Sequence, residues 1–520
     1  MHNQERYNLF ALTHSRLFPL PIRSHHILYQ RFMEELAGRG HEVHVVTHFP
    51  QKHPPPNYYD IDIGGSLPKS VGQLSIKSPY DRGFLGKIKY VFRTCGAEIC
   101  EYLFRNLAII DLKNSTMNFD LVISEVYGTD CLLGFAHKFQ APIIGISAVD
   151  LLPWAAERMG NPDNPSYIPN YFAATNEKMG IYEKFFGLAT LFLSKIGYFF
   201  LSIAPSENKI KEFFGNQTAA LETIVSNTSL ILVNSHLSLN IPRPMVPNIV
   251  EIGGLHIDPP KILSQDLDKL VRTSQDGVIY FSLGTVVDLT SFEAPLLQTI
   301  MNVLGRLPQT IIWSGNISNN VTVPKNIHIH SWLDQLALLC DPNTKAFITL
   351  GGLMSLQEAA YCAVPILGIP IFPNHKRNID KYVKSGAGLL LEYDDVNEAT
   401  LKEALDDLIA NLDYKRNAVK LSLIFKERPM GALDTAVYWA EYVVKFGGAQ
   451  HLRCGAADLG WFEYYFVDCL IIMMGILGLG LLLGGLAIYF LQDSDVWNYI
   501  FKRGPQKREE GPEPETDKDK

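Results

Sequence analysis

Residues 331–388 read SWLDQLALLCDPNTKAFITLGGLMSLQEAAYCAVPILGIPIFPNHKRNIDKYVKSGAG, and this stretch decides the fold of the second half of the chain. Its KAFIT segment is typical of a buried strand, and the glycines that follow, Gly351 and Gly352, predict a tight turn from strand to helix. The helix is predicted to begin near Leu353, with its N-terminal amides facing whatever ligand lies beyond the strand. This arrangement suits a diphosphate, although paired glycines also occur at turns that bind no anion.

Short apolar segments of strand type recur on both sides of this stretch and alternate with segments of helical period. Such alternation is typical of βαβ units and parallel sheets. The sequence therefore predicts an α/β fold with two Rossmann-like, doubly wound domains facing across a cleft, where ligands bind beyond the carboxyl ends of the strands. The other predicted strands are EVHVVTHF (42–49), FDLVISEV (119–126), PIIGISAV (142–149), GVIYFSLG (277–284), TIIWSG (310–315), NIHIHSW (326–332), PILGIPIF (365–372) and GLLLEY (388–393).

Shifts in composition predict the domain organisation. The strand signal disappears between about 155 and 230, where YEKFFGLATLFLSKIGYFFL (182–201) predicts a helical insert. Core packing is the simpler explanation for its apolar residues, and contact with a membrane surface is the alternative. We expect an N-terminal domain (1–257) with an insert at about 155–230, a linker (258–275), a C-terminal domain (276–450), a membrane-proximal segment (451–468), a transmembrane helix (469–491) and a tail (492–520).

The predicted transmembrane helix reads CLIIMMGILGLGLLLGGLAIYFL and carries no charge. As a helix it would extend over roughly 35 Å, which is enough to cross the hydrocarbon core of a bilayer. Basic residues follow it, whereas acidic residues precede it, so the tail is expected in the cytosol. The flanking charges are Lys502, Arg503, Lys507 and Arg508 after the span, and Asp458, Glu463 and Asp468 before it.

Two further features concern the compartment of the globular part. Five Asn-x-Ser/Thr sequons agree with a lumenal or extracellular position. The N-terminal segment MHNQERYNLFALTHSR has no apolar core long enough for a secretory signal peptide. Either the first segment of the gene product is missing from this sequence, which is the favoured expectation, or another segment directs targeting. The sequons are at Asn114, Asn216, Asn227, Asn316 and Asn320.

Composition and missing motifs argue against several function classes. The seven cysteines form neither a CxxC metal pattern nor an obvious disulfide framework, so we expect no metal or redox centre. The net charge of −8 comes without a basic stripe, which argues against a nucleic-acid partner. No GxGxxG follows the first predicted strand, which argues against a dinucleotide-dependent oxidoreductase.

The turn at the paired glycines is surrounded by side chains suited to a nucleotide. Ser355 in the first helical turn can donate to phosphate, and Glu358 one turn later can accept both hydroxyls of a ribose. Trp332 could stack on a flat base, with Gln335 adding hydrogen bonds beside it. A solvated helix carboxylate and a core tryptophan are the simple alternatives for Glu358 and Trp332.

Taken together, this segment resembles the signature region of the family-1 UDP-glycosyltransferases, which are of the GT-B fold type. Further matches at 232–257 and 427–453 extend the resemblance over nearly the whole chain and are most similar to the insect branch. The resemblance implies uracil stacking by Trp332, diphosphate binding by Gly351, Gly352 and Ser355, and ribose binding by Glu358. It also implies a second donor loop at FSLGT, with Ser282, Gly284 and Thr285.

The chain departs from the family pattern at three positions. Members usually have histidine before the paired glycines, where this chain has Leu350, which cannot donate to phosphate. Members also usually carry an Asp-Gln pair that holds the sugar hydroxyls, where this chain has Asn374 and His375. Amide and imidazole can still form hydrogen bonds with a sugar, but the carboxylate acceptor is replaced, so these two positions do not themselves indicate which sugar is bound.

The resemblance also implies a catalytic base. Transfer to a hydroxyl needs a base for the acceptor proton and a second group that orients this base. The family's histidine follows a serine at the start of the first helix, and Ser24-His25 matches. Free histidine titrates near neutrality, which suits a base. Helix capping is the alternative role for His25. The orienting carboxylate is expected after FDLVIS, where Glu125 is the gapless match and Asp130 the rival.

From this resemblance we expect an inverting, metal-independent transfer of a hexose from a UDP-sugar to a hydroxyl or acid group of a small lipophilic acceptor, as in detoxification. The UDP-sugar is a co-substrate and no cofactor is expected, and insect relatives favour glucose over glucuronate. The acceptor is expected to bind in the N-terminal domain. The alternative is a catalytically weak or inactive glycosyltransferase-like membrane protein that binds a small lipophilic ligand or partners an active homologue. The resemblance further implies a single-pass type I glycoprotein of the endoplasmic reticulum membrane with lumenal catalytic domains, and it allows homo- or hetero-oligomers with related transferases.

Overall fold

The computed structural model of this chain describes residues 13–68, 71, 83–173, 179–284, 292–317 and 321–492, together with residues 499 and 511. The chain divides into two compact units, Met1–Ala457 and Asp458–Lys520. The first unit contains both β-sheets, and the second contains the apolar helix.

The first sheet has seven parallel strands in the order β3-β2-β1-β4-β5-β6-β7. Every residue of its strands β4, β5 and β6 is buried, as expected for a parallel sheet covered by helices on both faces. The strands are β1 (Thr13–Leu17), β2 (Glu42–Thr47), β3 (Tyr58–Asp62), β4 (Leu121–Glu125), β5 (Ile143–Ser147), β6 (Thr228–Val233) and β7 (Ile249–Glu251).

The second sheet has six parallel strands in the order β10-β9-β8-β11-β12-β13. Its central strands β8 and β11 are paired over Thr344 to Thr349, so Ser282 at the end of β8 and Thr349 at the end of β11 lie side by side at one edge. The strands are β8 (Val278–Ser282), β9 (Thr310–Ser314), β10 (Ile327–His330), β11 (Thr344–Thr349), β12 (Ile366–Gly368) and β13 (Gly388–Leu390).

The helices of the first unit cover the faces of these sheets. The helices that accompany the first sheet are α1 (Arg23–Gly38), α2 (Gly83–Lys89), α3 (Glu98–Phe104), α4 (Leu107–Asn114), α5 (Gly134–Phe139), α6 (Pro153–Arg158), α7 (Ile181–Tyr198), α8 (Ala204–Phe214) and α9 (Leu221–Ser226), with π-helical turns at Tyr90–Ala97 and Phe199–Ile203. The later helices are α10 (Gln265–Thr273), α11 (Ala294–Gly305), α12 (Gln335–Leu339), α13 (Leu353–Tyr361), α14 (Pro373–Lys384), α15 (Glu398–Ala410), α16 (Leu412–Lys426) and α17 (Ala432–Lys445).

The helix α17 returns from the second half of the chain to the first sheet. Its buried residues Ala436, Val437 and Ala440 belong to the same apolar cluster as Leu28 and Phe32 of α1. Burial of this apolar surface favours the return of the chain to the first sheet and holds the two halves of the unit together.

The predicted fold class is confirmed, because two parallel α/β sheets are present and a separate apolar helix follows. Each of the predicted strands corresponds to an observed strand, and α13 begins at Leu353 as predicted. The strands β1, β3, β6 and β7 have no counterpart among the segments quoted as strands; β3 is partly polar, β6 begins at Thr228 within the region assigned to the helical insert, and β7 has only three residues. The predicted linker contains α10 and lies between the two groups of strands, while the domain boundaries themselves stay predictions.

The second unit contains α18 (Trp461–Tyr464) and α19 (Val467–Gln492). The apolar stretch Val467–Leu491 has 25 residues and none of its side chains is buried, so it is long and apolar enough to span a membrane. Among the described residues a second stretch, Ile181–Phe214, meets the same test of length and composition, but 39% of its most apolar part is buried in the protein.

One disulfide was not anticipated from the spacing of the cysteines. Cys340, after α12, is bonded to Cys362, after α13. The expectation that the sequence holds no disulfide framework is therefore wrong for this pair. The bond links the two helices beside the paired glycines and constrains a loop with a sequence separation of 22 residues.

Candidate active site

A cleft of about 1540 Å³ lies between the two sheets of the first unit. Residues that follow the carboxyl ends of strands in both sheets line it, including His25 and Tyr127 on one side and Ser282, Trp332 and Gly352 on the other. In parallel sheets this edge is where ligands bind, because loops and helix N-termini converge there. The cleft is therefore the candidate active site.

The first turn of α1 places His25 at the cleft beside a buried carboxylate. Nδ1 of His25 lies 2.6 Å from Oε1 of Glu125, the last residue of β4. The Tyr29 hydroxyl, one helical turn after His25, donates to the same Oε1 at 3.0 Å. The side chain of Glu125 is 2% exposed, whereas that of His25 is 12% exposed. The carboxylate therefore holds the imidazole by Nδ1.

Tyr29 is held in its protonated form as a hydrogen-bond donor. Burial and the negative charge of Glu125 raise the pKa of Tyr29 well above its usual value. The phenol ring is also stacked on Phe18 with ring centroids 4.3 Å apart. Tyr29 therefore helps to fix the Glu125 carboxylate from a position that the sequence analysis did not identify.

Asp130 has a different partner. Both of its carboxylate oxygens accept from Nη2 of Arg158 at 3.0 Å, and the Tyr198 hydroxyl donates to Oδ2. The side chains of Arg158 and Asp130 are only 2% and 3% exposed. The alternative prediction, that Asp130 is the partner of His25, is therefore wrong, because the carboxylate of Asp130 is paired with the buried guanidinium of Arg158.

Aromatic side chains line the part of the cleft near His25. The Tyr127 ring meets the His25 ring edge-on at 5.6 Å, and its hydroxyl lies 3.3 Å from that of Tyr171. Tyr90, Val71 and Cys95 complete this wall. Burial raises the pKa of the Cys95 thiol to about 12, so the thiol stays protonated and is no nucleophile at neutral pH. This side of the cleft suits a small, largely apolar molecule.

The paired glycines form the predicted turn at the other side of the cleft. Gly351 has φ +89°, and a Cβ there would lie 2.5 Å from Cγ1 of Ile379, so only glycine fits without a shift. A Cβ on Gly352 would meet no atom within 4 Å, and Gly352 precedes the first residue of α13. The N-terminus of α13 thus faces the cleft with an open approach to its amides.

Gln335, Ser355 and Glu358 form one hydrogen-bonded group. Nε2 of Gln335 donates to Oγ of Ser355 at 3.1 Å and to Oε2 of Glu358 at 2.8 Å. Its Oε1 accepts from the Tyr280 hydroxyl at 3.0 Å. Nε2 of His256 lies 3.2 Å from Oε1 of Glu358. Glu358 is therefore a positioned carboxylate at the cleft and not a solvated one.

Trp332 presents its ring to the cleft rather than to a core. It is 57% exposed, and Cζ of Arg23 lies 5.6 Å from its ring centroid. The same guanidinium lies 5.0 Å from the ring centroid of Phe49. Arg23 is the first residue of α1, the helix that carries His25. Its guanidinium thus approaches Trp332 from the opposite side of the cleft.

The three positions that depart from the family pattern, Leu350, Asn374 and His375, also line the cleft. Leu350 is 4% exposed and borders both the cleft and a small apolar cavity lined by Phe281 and Ile300. Asn374 and His375 line the cleft in the first turn of α14. Burial lowers the pKa of His375 to about 4, so its imidazole is neutral at physiological pH.

The second donor loop is described only in part. Ser282 ends β8, and Gly284 has φ +74° with open space where a Cβ would be. Both residues line the cleft. Thr285 lies outside the described residues.

The sequence analysis missed Tyr29, Tyr280 and His256. Tyr29 could have been found, because it follows His25 by four residues and so lies on the same helical face. Tyr280 and His256 gave no such signal, because their contacts come from different elements that only the fold brings together.

Known proteins that are similar to this chain in sequence are glycosyltransferases by name. A family model described as "UDP-glucoronosyl and UDP-glucosyl transferase" matches residues 83–485. Among similar proteins, "UDP-glucosyltransferase 2" of Dactylopius coccus is 36% identical over 88% of this chain and 89% of its own length. "UDP-glucuronosyltransferase 2C1" of Oryctolagus cuniculus is 30% identical over 72% of this chain and 74% of its own length. These relatives are transferases by name, and nothing about them favours the non-catalytic alternative.

Solved structures support the fold. The glycosyltransferase of kitacinnamycin has a TM-score of 0.56 at 16% identity, with 83% of this chain and 99% of that chain covered. At this identity the likeness concerns the fold alone, which is the two-sheet architecture described above.

Proposed function

This chain belongs to the UDP-glucuronosyl and UDP-glucosyl transferase family, and we propose that it transfers a hexose from a UDP-sugar, with inversion, to a hydroxyl or acid group of a small lipophilic acceptor. The observation that supports this most strongly is the 2.6 Å contact between His25 and Glu125 at the cleft. It provides an oriented base opposite a group of side chains suited to a nucleotide.

In the proposed reaction, Nε2 of His25 takes the proton of the acceptor hydroxyl, because Nδ1 is engaged by Glu125. The acceptor oxygen forms a bond to the anomeric carbon of the sugar while the bond from that carbon to the UDP oxygen breaks. UDP leaves with the electron pair, and attack from the opposite face inverts the anomeric centre. Glu125 stabilises the imidazolium that forms, and Tyr29 keeps the carboxylate in place. No metal and no cofactor are part of this proposal.

The donor is proposed to bind along the second sheet. Trp332 would stack on the uracil with Gln335 beside it, Glu358 would accept the ribose hydroxyls, and Ser282, Gly284, Ser355 and the amides after Gly351 and Gly352 would bind the diphosphate. Leu350 contributes no hydrogen bond, so the N-terminus of α13 is the main phosphate site in this proposal. Asn374 and neutral His375 would bond the sugar hydroxyls. The relative named as a glucosyltransferase supports glucose as the sugar.

The acceptor is proposed to bind against Tyr127, Tyr171, Tyr90 and Val71. This wall offers rings for apolar contact and few charges, which favours phenols and lipophilic alcohols or acids over sugars or peptides. Conjugation of such compounds would make them more soluble, as in detoxification.

We further propose a single-pass type I glycoprotein of the endoplasmic reticulum membrane, with the first unit in the lumen and the tail in the cytosol. The charges that flank the span support this orientation. The Cys340–Cys362 disulfide supports an oxidising compartment. Of the sequon asparagines, Asn114, Asn216, Asn227 and Asn316 are exposed, although Asn316 lines the cleft, so glycans are expected at the other three.

The test is UDP release by the detergent-solubilised full chain with UDP-glucose, UDP-glucuronate and UDP-galactose and a panel of phenols. The proposal expects acceptor-dependent release that His25→Ala reduces at least about 100-fold. The exposed loop residue His53 provides the matched control, and His53→Ala should leave the rate unchanged. Release that persists in His25→Ala would overturn the proposed base, and no acceptor-dependent release with any donor would overturn the proposed transfer.

A further inference from the structure

One polar side chain of the helix α13 is fully buried. Gln357 lies between Ser355 and Glu358, which both line the cleft, whereas Gln357 is buried away from solvent. Residues three apart share a helix face, so Gln357 points away from the face that carries the other two. A buried amide needs partners for its donor and its acceptor, because burial without hydrogen bonds is unfavourable. The partners of Gln357 therefore show what α13 is attached to.

Both ends of this amide are bonded to the first half of the chain. Oε1 of Gln357 accepts from the backbone amide of Gly254 at 3.2 Å, and Nε2 donates to Oδ1 of Asn234 at 2.9 Å. Gly254 lies after β7, and Asn234 comes directly after β6. Both partners thus belong to loops that follow strands of the first sheet. The helix that carries proposed donor-binding residues is therefore held by the sheet that positions the proposed base.

Polar contacts continue from Asn234 towards that base. Nδ2 of Asn234, which is also fully buried, donates to the backbone oxygen of Ala148 at 2.9 Å. Ala148 comes directly after β5 and lines the cleft, and its backbone is in contact with the Tyr29 hydroxyl. That hydroxyl donates at 3.0 Å to Glu125, the carboxylate that holds His25. A path of polar contacts therefore leads from α13 to the proposed base.

Backbone atoms at its two ends fix the orientation of both amide groups. The amide nitrogen of Gly254 can only donate, and the carbonyl oxygen of Ala148 can only accept. The oxygen of Gln357 must therefore face Gly254, and the nitrogen of Asn234 must face Ala148. The two remaining atoms then form a donor and acceptor pair at 2.9 Å. Neither amide can be turned round without losing bonds at both of its ends, so together they hold one arrangement of the two halves.

These directional bonds differ from the apolar contacts that also join the halves. The apolar cluster shared by α1 and α17 is one such contact, and Met354 of α13 packs against it. Apolar contact has no preferred direction, whereas a hydrogen bond weakens steeply with distance and angle. Group transfer requires this kind of precision, because a shift of about 1 Å in the reacting atoms can change a rate about 100-fold.

From these observations we propose that Gln357 is a positioning residue for the transfer reaction, a role that rests on the proposed function. Its hydrogen bond to Asn234 holds α13, and with it the bound UDP-sugar, at the correct distance and angle from His25 across the cleft. Gln357 does not line the cleft and so contacts neither donor nor acceptor. Loss of this bond should therefore lower the rate of transfer without weakening the binding of UDP.

The test uses the detergent-solubilised full chain. Gln357→Met keeps the length of the side chain and removes both of its bonds. Asn234→Ser breaks the bond between the two amides from the other partner, and it also serves if Gln357→Met does not fold. Asn343→Leu is the matched control, because Nδ2 of Asn343 donates to the backbone oxygens of Val271 and Ser274 at 2.8 Å and does not line the cleft. The measurements are kcat at saturating donor and acceptor, the Kd of UDP in calorimetry and the thermal midpoint.

Gln357→Met and Asn234→Ser should each lower kcat at least about tenfold, while the Kd of UDP stays within about twofold of the wild-type value. The double variant should be no slower than the slower single variant, because both changes break the same bond. Asn343→Leu should lower the thermal midpoint without lowering kcat per folded molecule.

An unchanged kcat in either variant at the amide pair, or a fall no larger than that in Asn343→Leu, would overturn the positioning role. A loss of UDP affinity as large as the loss of kcat would also overturn it, because Gln357 would then only shape the donor site. Absence of transfer by the wild-type protein is a different result, which would overturn the proposed function itself and this role with it.

Discussion

Nδ1 of His25 lies 2.6 Å from Oε1 of Glu125, although the two residues are 100 positions apart in the chain. One belongs to the first turn of α1 and the other ends β4, so the contact exists only because β1 and β4 are neighbours in the first sheet. The pair leaves Nε2 of the imidazole for the cleft. The first prediction follows from this geometry.

Glu125→Gln should lower kcat at least about 100-fold with little change in the KM for the UDP-sugar, because an amide cannot stabilise the imidazolium that forms during proton transfer. Glu125→Asp should lower kcat less, since it keeps the charge but shortens the side chain. The measurement is the initial rate at saturating donor and acceptor. Tyr29→Phe is the control for positioning of the carboxylate, and it should lower kcat less than Glu125→Gln does. Normal kcat in Glu125→Gln would contradict the proposed role.

Asp130→Asn should destabilise the protein and leave the chemistry largely intact. It would leave Arg158 buried without its counter-charge, at a cost of about 3–5 kcal/mol in the free energy of unfolding. The measurement is the thermal midpoint in detergent together with kcat per folded molecule. Replacing both partners, in Asp130→Asn/Arg158→Met, should restore part of the stability. A large fall in kcat at an unchanged midpoint would instead assign Asp130 to catalysis.

Glu358→Ala should remove the preference for ribose over deoxyribose. Glu358 is proposed to accept the ribose hydroxyls, and a hydrogen bond to a charged group contributes about 1.5–3 kcal/mol. The wild-type protein should therefore bind UDP at least about tenfold more tightly than 2′-deoxy-UDP, and Glu358→Ala should bind both with similar Kd in calorimetry. The exposed helix carboxylate Glu403 provides the control Glu403→Ala, which should keep the preference. A preserved preference in Glu358→Ala would rule out the assignment.

His26 should contribute to the loss of stability in acid. Burial and the neighbouring charge of Arg23 lower the pKa of His26 to about 4, and the residue is 4% exposed. The unfolded chain binds this proton near the ordinary histidine pKa of about 6.5, so the contribution to stability is complete above that pH and is lost as the pH falls from about 6.5 towards 4. Between pH 7 and pH 5 the loss amounts to about 2 kcal/mol for this group.

The measurement for His26 is the thermal midpoint of the wild-type protein and His26→Gln at pH 7 and pH 5. The fall between the two pH values should be smaller in His26→Gln. Some of the fall should remain, because burial also lowers the pKa of His236 and His375 to about 4. An identical fall in both proteins would show that His26 does not titrate as described.

The sequence by itself determined the fold class, the turn at Gly351 and Gly352, and the position of the proposed base His25. Strand and helix periods depend on neighbouring residues, so KAFIT, the paired glycines and α13 could be predicted from local pattern. The apolar helix near the end of the chain could also be predicted from the sequence, because its length and lack of charge are local features. His25 was found through the motif that it shares with a family, and Trp332 and Glu358 through the signature segment around the glycines.

The tertiary structure decided which groups meet. Both Glu125 and Asp130 follow the same strand, and only the packing of Arg158 and Tyr198 from the helical insert removes Asp130 from the vicinity of His25. The Cys340–Cys362 bond likewise depends on how two helices pack, which cysteine spacing does not reveal. The composition of α7 alone does not reveal that many of its large apolar side chains are exposed, because an apolar helix is compatible with a core until it is known which of its faces is buried. Contacts between residues far apart in the chain depend on the directions of whole elements, and those directions are set by packing rather than by local sequence.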